Sequence, residues 1–385
     1  MRKLSFAIFF SVALSVYALI NFYIFLRGWE LLSSHPALRS FFLALASIFA
    51  IAFIAGRVLE RVRLTWFSAA LVWIGSFWLA AMSYFLIIAL TVDLFRLSNY
   101  IFSWFPVFVT VHRAETKDAI ALVVIAIVVI TVFFGHLNAL RPRIKKLDLS
   151  IRKTVGSTKS LTIVAVSDIH LGTIIGKSRL TRIVALINGL NPDLVLLPGD
   201  VFDEDIGPVI KENLGETLRT IRSKYGVIAI TGNHEYIGGA EAACRYLTDH
   251  GVRVLRDSSV KIDELCTVVG REDLSSRQFG GDKRKSLDEL LNDVDTRLPV
   301  ILLDHQPFHL EDAERHGIDL QLSGHTHHGQ LWPFNYISQK IFEVSWGYKK
   351  KGNTHIYVSC GVGTWGPPVR TGNKPEIVKI NLSFL

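Results

Sequence analysis

The chain has 385 residues, half of them apolar and a fifth charged, with 42 Lys+Arg against 34 Asp+Glu and a formal net charge of +8. That balance is too apolar for a disordered chain and too aromatic for a simple coiled coil. The charges are uneven, because residues 1–140 hold only 10 Lys/Arg and 5 Asp/Glu.

The first third therefore reads as membrane and the rest as globular protein. Its basic residues flank apolar runs, where they report topology and anionic headgroups, and no basic stripe argues for a nucleic-acid polymer as partner. Cys244, Cys266 and Cys360 are too few and too scattered for a disulfide framework and favour a reducing compartment.

In chain order, four apolar runs are long enough to cross a bilayer: 4–26, 40–56, 64–92 and 119–140. The first continues without pause to Leu26, longer than the apolar part of a signal peptide, so it is expected to stay as a span. No run carries a charge at its centre, which argues against a transport pathway. Residues 97–111, aromatic but broken by Ser98, Asn99, Ser103 and Pro106, read as an interfacial or re-entrant segment; as a fifth span they would reverse the side of the C-terminal domain. With four spans, nine positive residues (Arg2, Lys3, Arg57, Arg61, Arg63, Arg141, Arg143, Lys145, Lys146) fall on one side and five (Arg27, Arg39, Arg96, Arg113, Lys117) on the other. The positive-inside rule then places the C-terminal domain in the cytoplasm. Residues 141–160 are polar and basic, with Pro142 and Gly156, and are expected to be a linker.

From residue 161 short apolar runs alternate with helical stretches. Strands are expected over 161–167, 193–197, 227–231, 266–270, 299–303, 319–323, 355–359 and 377–381, and helices over 179–190 and 209–222. The pattern suggests an α/β sandwich with helices outside. Polar clusters follow the strands: Ser167-Asp168-Ile169-His170, Pro198-Gly199-Asp200, Thr231-Gly232-Asn233-His234-Glu235, Asp304-His305-Gln306-Pro307 and Ser323-Gly324-His325-Thr326-His327. Ligand sites in open α/β sheets form beyond the carboxyl ends of strands, so these groups are expected to converge. On an extended segment Asp168 and His170, or His325 and His327, would point the same way and pinch one ion. Carboxylate, imidazole and amide without thiolate suit Mn, Fe or Zn, and a lone Asp such as Asp200 is able to bridge two cations. A single Asp-x-His or Gly-Asp is ordinary loop chemistry. The five motifs in order are not.

That ordered set resembles the calcineurin-like metallophosphoesterase superfamily over roughly residues 160–382, and its wording is similar to the membrane-anchored branch that includes the bacterial YkuE-like phosphodiesterases. His328 stands where that branch usually has Gly. The resemblance implies an αββα metallophosphoesterase sandwich over 161–385 behind a four-helix transmembrane region, in a bacterial plasma membrane. It also implies two divalent ions, Mn before Fe or Zn. Asp168, His170 and His327 would hold one ion and Asn233, His305 and His325 the second, with Asp200 bridging and His234 as the catalytic acid. Two such ions acidify a bridging water for in-line attack on phosphorus.

The aromatics of 331–352 and Lys349-Lys350-Lys351 form either a packed insertion or a lip meeting lipid phosphates. A membrane tether suits a lipid-linked phosphate, with UDP-2,3-diacylglucosamine a specific candidate. A soluble nucleotide or cyclic nucleotide, with the helices only as an anchor, is the alternative substrate. An inactive receptor is the reading of another class, set against the presence of all seven ligands and His234.

Overall fold

The computed structural model describes residues 2–106, 113–156, 160–281 and 283–385. The chain divides into two compact units, Met1–His136 and Leu137–Leu385.

The first unit is helical: α1 (Arg2–Leu31), α2 (Pro36–Val62), α3 (Trp66–Phe102) and most of α4 (Arg113–Ala139). All four helices are long and apolar enough to cross a membrane. Pro36 opens α2 at a position where its missing N–H costs nothing. A reciprocal cap starts α3, in which the Ser68 N–H donates to Thr65 Oγ1 (3.1 Å) and the Thr65 N–H to Ser68 Oγ (2.9 Å). Gly56 and Gly75 let α2 and α3 approach closely, since a Cβ on Gly56 would stand 2.7 Å from the Val72 nitrogen. Between helices, Trp78 Nε1 donates to the buried Asn21 Oδ1 at 2.9 Å. Of the expected interfacial stretch 97–111, residues 97–102 extend α3, and 107–111 lie outside the described residues.

Among the described residues the second unit holds twelve strands: β1 (Arg143–Ile151), β2 (Ser160–Ala165), β3 (Leu194–Pro198), β4 (Val227–Ile230), β5 (Val252–Leu255), β6 (Ser258–Ile262), β7 (Cys266–Gly270), β8 (Val300–Leu303), β9 (Leu320–Ser323), β10 (Gly347–Lys351), β11 (Thr354–Val358) and β12 (Glu376–Phe384). They form two six-stranded sheets, β1-β12-β2-β3-β4-β5 and β10-β11-β9-β8-β7-β6. Inward residues of both sheets make one core, with Ile163, Leu196 and Ile380 from the first and Val268, Leu303 and Leu322 from the second. β2 to β5 run parallel, as do β7, β8, β9 and β11. In each sheet the loops after these strands therefore leave from one edge, and the polar motifs lie there.

The linker expected over 141–160 is in part a strand. β1 pairs in parallel with β12, Leu149 opposite Leu382, and buries Leu149 and Ile151 while Lys145 and Lys146 stay exposed. Alternating Leu147, Leu149 and Ile151 is a strand pattern, and lysines on an edge strand keep other chains from pairing with it. The helix expected over 209–222 is two short ones, Gly207–Lys211 and Leu214–Leu218, separated where Asn213 turns left-handed (φ 51°). Residues 349–351 lie in β10, hairpinned to β11, and Lys349 and Lys351 both pair with Glu343 (2.8 and 3.0 Å). Two of the three lysines that a lipid-facing lip would present thus share one carboxylate within the domain.

Candidate active site

Each motif takes its shape from the strand before it. After β2, Asp168 and His170 both have left-handed backbone (φ 53°), and so do Asp200 after β3 (φ 50°) and His325 and His327 after β9 (φ 71° and 45°). Non-glycine residues seldom adopt this region, and such strain gathers at functional sites. The extended pairing expected for Asp168 with His170 and for His325 with His327 is therefore not what brings the side chains together. The backbone curls, and the two histidines of Gly-His-Thr-His part company.

Asp168, His170 and His327 gather in one buried triad, and Asp200, His305 and His325 in another, with ligand atoms of each within 4.8 Å of one another. In the first, His170 Nε2 and His327 Nε2 face each other at 2.9 Å, and His327 Nε2 lies 3.6 Å from Asp168 Oδ1. In the second, His305 Nε2 lies 3.1 Å from Asp200 Oδ2, which is also 3.8 Å from His170 Nε2. Asp200 thus touches both triads. Asn233 Oδ1 completes the second at 2.8 Å from His325 Nδ1.

The donor atoms fit divalent cations. His305 Nδ1 lies 2.8 Å from the Pro198 carbonyl, to which it donates, so Nε2 is the nitrogen that faces Asp200 and would turn to a cation. Asp168 Oδ2, buried, has no hydrogen-bond partner. Several converging acceptors with too few protons among them are what a bound cation would satisfy.

Electrostatics separate the groups. Burial alone would raise the Asp200 carboxyl, but the His305 and His234 imidazoles hold it well below the usual carboxylate range. Burial, partly offset by His305 and reinforced by the Asp200 charge, pushes Asp168 up to about 6. Burial, with His234 beside it, lowers His170 to about 3, and burial, with His305, lowers His325 to about 4. His170, His325 and His327, the last also lowered by burial, are therefore neutral near pH 7 and ready to ligate, whereas for His305 burial is outweighed by Asp200, which holds it well above the usual imidazole range.

His234 is buried in neither triad's first row. Its N–H donates to Asp200 Oδ1 (2.9 Å), its Nδ1 lies 3.6 Å from Asp203 Oδ1, and its ring meets those of His170 edge-on at 4.6 Å and Trp365 at 5.9 Å. Glu235 accepts from the N–H groups of Gly232 (2.7 Å), Phe202 (2.9 Å) and Asp200 (3.1 Å), which pins the Asp200 loop to the start of the helix Asn233–Gly238. His328 is packed away, its Nδ1 2.9 Å from Ser345 Oγ and its ring against Trp346.

Asp203 escaped the sequence reading, and Arg370, which with 365–368 reads from the sequence as part of a loop lining the mouth, is instead buried behind His327. Asp203 sits three residues after Asp200, and the Gly-Asp-x-x-Asp spacing could have flagged it as the His234 partner. Arg370, fully buried, donates from Nη2 to the carbonyls of Gly363 (2.7 Å) and Cys360 (2.8 Å) and stands 3.1 Å from His327 Nδ1. Asn373 Nδ2 donates to the His327 carbonyl at 2.6 Å. Asn138 Nδ2 in turn donates to the carbonyls of Arg370 and Asn373, both at 2.8 Å, so the last turn of α4 holds the loop that holds His327. No sequence signal marked this chain of contacts.

Close packing makes glycine necessary at Gly324, where a Cβ would overlap Asp168 Oδ2. Gly324→Ala is expected to weaken metal binding about 10-fold or more, as loss of a ligand-orienting contact does, measured by titration with Mn and by metal content after dialysis.

A family model described as calcineurin-like phosphoesterase matches residues 161–329. A transmembrane protein with metallophosphoesterase domain from Danio rerio is 33% identical over 283 residues, covering 69% of this chain and 62% of that protein. A metallophosphoesterase of Aquifex aeolicus is 33% identical over 253 residues, covering 65% of this chain and 95% of the relative. The metallophosphoesterase YkuE of Bacillus subtilis is 32% identical over 235 residues, covering 57% of this chain and 78% of the relative. The chain thus spans less than two thirds of the length of the zebrafish relative, and nearly all of the Aquifex one. A third of the residues shared across almost the whole of that compact relative, with the ligand-bearing loops inside the matched family segment, makes this chain a member of the calcineurin-like metallophosphoesterase family.

Proposed function

We propose that the chain is a membrane-bound, two-metal phosphohydrolase acting on a phosphodiester or diphosphate bond of a lipid-linked substrate. The observation that carries the reading is the pair of buried triads meeting at Asp200, with His234 beside them. In this reading Asp168, His170 and His327 would hold one divalent ion and Asn233, His305 and His325 the other, with Asp200 shared between them. Oxygen and imidazole donors without thiolate favour Mn, with Fe or Zn as alternatives. When bound, two ions supply Lewis-acid charge for the phosphoryl oxygens and an acidified water.

The chain's own groups do the rest. Asp200 stays ionised at every working pH and sets the spacing of the two triads. The His234 N–H, held on Asp200, fixes the imidazole, and Asp203 at Nδ1 leaves Nε2 to carry a proton to the leaving oxygen. Trp365, Phe308 and Phe342 line the approach: Trp365 is 54% exposed against His234, and Phe342 packs between Phe308 (4.9 Å) and His325 (6.0 Å). Trp332, Tyr336, Ile337 and Ile341 add an exposed apolar rim. An apolar rim of this size on a domain tethered to four apolar helices supports an acyl-bearing substrate, UDP-2,3-diacylglucosamine being one candidate. We further propose an apolar region ending near residue 140, a catalytic domain from there on, and a bacterial plasma-membrane location with that domain cytoplasmic, from the nine-to-five charge asymmetry.

The test is hydrolysis by the full chain, in detergent and then in bilayers, of bis(p-nitrophenyl) phosphate and of UDP-diacylglucosamine. Turnover of the lipid substrate well above that of a nucleotide diester supports the reading. The reverse preference favours a soluble nucleotide substrate.

Proton competition provides a second test. An ion requires Asp168 ionised, and its pKa of about 6 lies above the ordinary 3.8. In the metal-free fold a raised carboxyl binds its proton more tightly folded than unfolded, so this group costs stability as pH rises from about 4 toward 6. Metal binding reverses that cost above pH 6. The rise in Tm produced by Mn is expected to be full near pH 7.5 and to shrink below about pH 6, with apparent affinity falling about 10-fold per pH unit. A Mn-induced shift unchanged down to pH 4.5 would remove Asp168 from the ligand set.

A further inference from the structure

Behind the catalytic loops, a cleft of about 380 Å³ is lined by Leu140, Pro142, Ile183, Leu186 and Val362, with the guanidinium groups of Arg179 and Arg182. Its wall is almost wholly apolar apart from these two cations. Arg179 is 9% exposed, and its Nη2 donates to the backbone carbonyls of Ala139 (2.8 Å) and Val362 (3.5 Å). Among the described residues neither Arg179 nor Arg182 has a carboxylate partner. A buried cation without a counter-charge is costly, and here the exposed Arg182 adds a second positive charge to the same cleft. Burial, then the Arg370 and Arg182 charges, lower the Arg179 pKa to about 9.

We propose that this cleft binds the phosphate headgroup of an anionic phospholipid, the guanidinium groups on the phosphate and the start of an acyl chain on the apolar wall. Guanidinium is the side chain best matched to a phosphate, and an apolar wall beside it selects an amphiphile over a free anion. Location supplies the second argument. Leu140 and Pro142 directly follow Ala139, the last residue of α4, and headgroups lie at the end of a spanning helix. The lipid reaches the metal centre only through the protein. Val362 N–H donates to the Ser167 carbonyl (3.1 Å) and Gly363 N–H to that of Asp168 (2.9 Å), so an occupied cleft braces the loop carrying Asp168. The proposal does not depend on the hydrolase reading.

The experiment is native mass spectrometry and melting of the full chain in dodecyl maltoside, titrated with phosphatidylglycerol, phosphatidylcholine or inorganic phosphate. Wild type is compared with Arg182→Gln, at an exposed position that leaves the fold intact, and with Arg179→Gln. Lipid held loosely around the apolar helices is common to all three proteins, so the difference reads the cleft. Wild type is expected to retain one more phosphatidylglycerol than either variant, and each variant to bind it about 5-fold or more weakly. Equal phosphatidylglycerol retention by wild type and Arg182→Gln overturns the proposal. So does equal retention of phosphatidylcholine, or displacement of the lipid by inorganic phosphate at comparable concentration.

Discussion

Asp200→Asn is expected to reduce hydrolysis by about 10³-fold or more while leaving the fold in place, because preorganised charge at the reacting centre is the largest single contribution to such rates. Asp200 belongs to one triad and reaches toward the other, 3.1 Å from His305 Nε2 and 3.8 Å from His170 Nε2 through the same oxygen. Asparagine has the same shape and its carbonyl still accepts the His234 N–H. It removes the negative charge and turns an N–H₂ toward two imidazole nitrogens that should face a cation. Metal content is therefore expected to fall together with activity, while Tm of the metal-free protein changes little. A variant that keeps both ions but loses turnover would make Asp200 important for reaction rather than for assembly. One that keeps turnover would remove it from the site.

His234→Ala is expected to cost about 10²–10⁴-fold, the usual weight of a general acid, without loss of metal. Its effect should grow with the basicity of the leaving oxygen: small for p-nitrophenolate, which leaves unaided, and large for an alkyl phosphate. Asp203 stands 3.6 Å from Nδ1 and orients the ring, so Asp203→Asn should show the same dependence at about 10- to 100-fold. An equal loss on all leaving groups would mean that His234 serves structure rather than proton transfer.

The sequence displayed the site better than the scaffold behind it. Its ligands are rare residue types placed directly after apolar runs, and a strand end is a position that hydrophobic pattern locates well, so Asp168, His305 and the two histidines of Gly-His-Thr-His were readable in order. How they converge was not. Left-handed backbone at Asp168, His170, Asp200, His325 and His327 has no counterpart in periodicity, and only the glycines around them hint at it. Strand β1 was hidden because its lysines and arginine outweigh Leu147, Leu149 and Ile151 in composition, although the alternation was there. The buried place of Arg370 behind His327 was hidden for another reason. A buried arginine satisfied by Cys360 and Gly363 carbonyls depends on the fold of a loop that no local pattern specifies. The break at Asn213 is the milder case of a helical period interrupted by one residue tolerant of positive φ.

β1 also bears on how the protein should be handled. A piece beginning after residue 150 lacks the edge of the first sheet and the Asn138 contacts to the 370–373 loop, so the full chain is the proper material.

The most direct test of the two-metal hydrolase is metal analysis of the full chain in detergent, paired with hydrolysis of bis(p-nitrophenyl) phosphate before and after chelation. The account predicts two divalent ions per chain, loss of both ions and of activity on chelation, and recovery of both with Mn. Protein that carries both ions yet hydrolyses no diester, monoester or pyrophosphate would contradict it, as would activity that survives complete removal of metal.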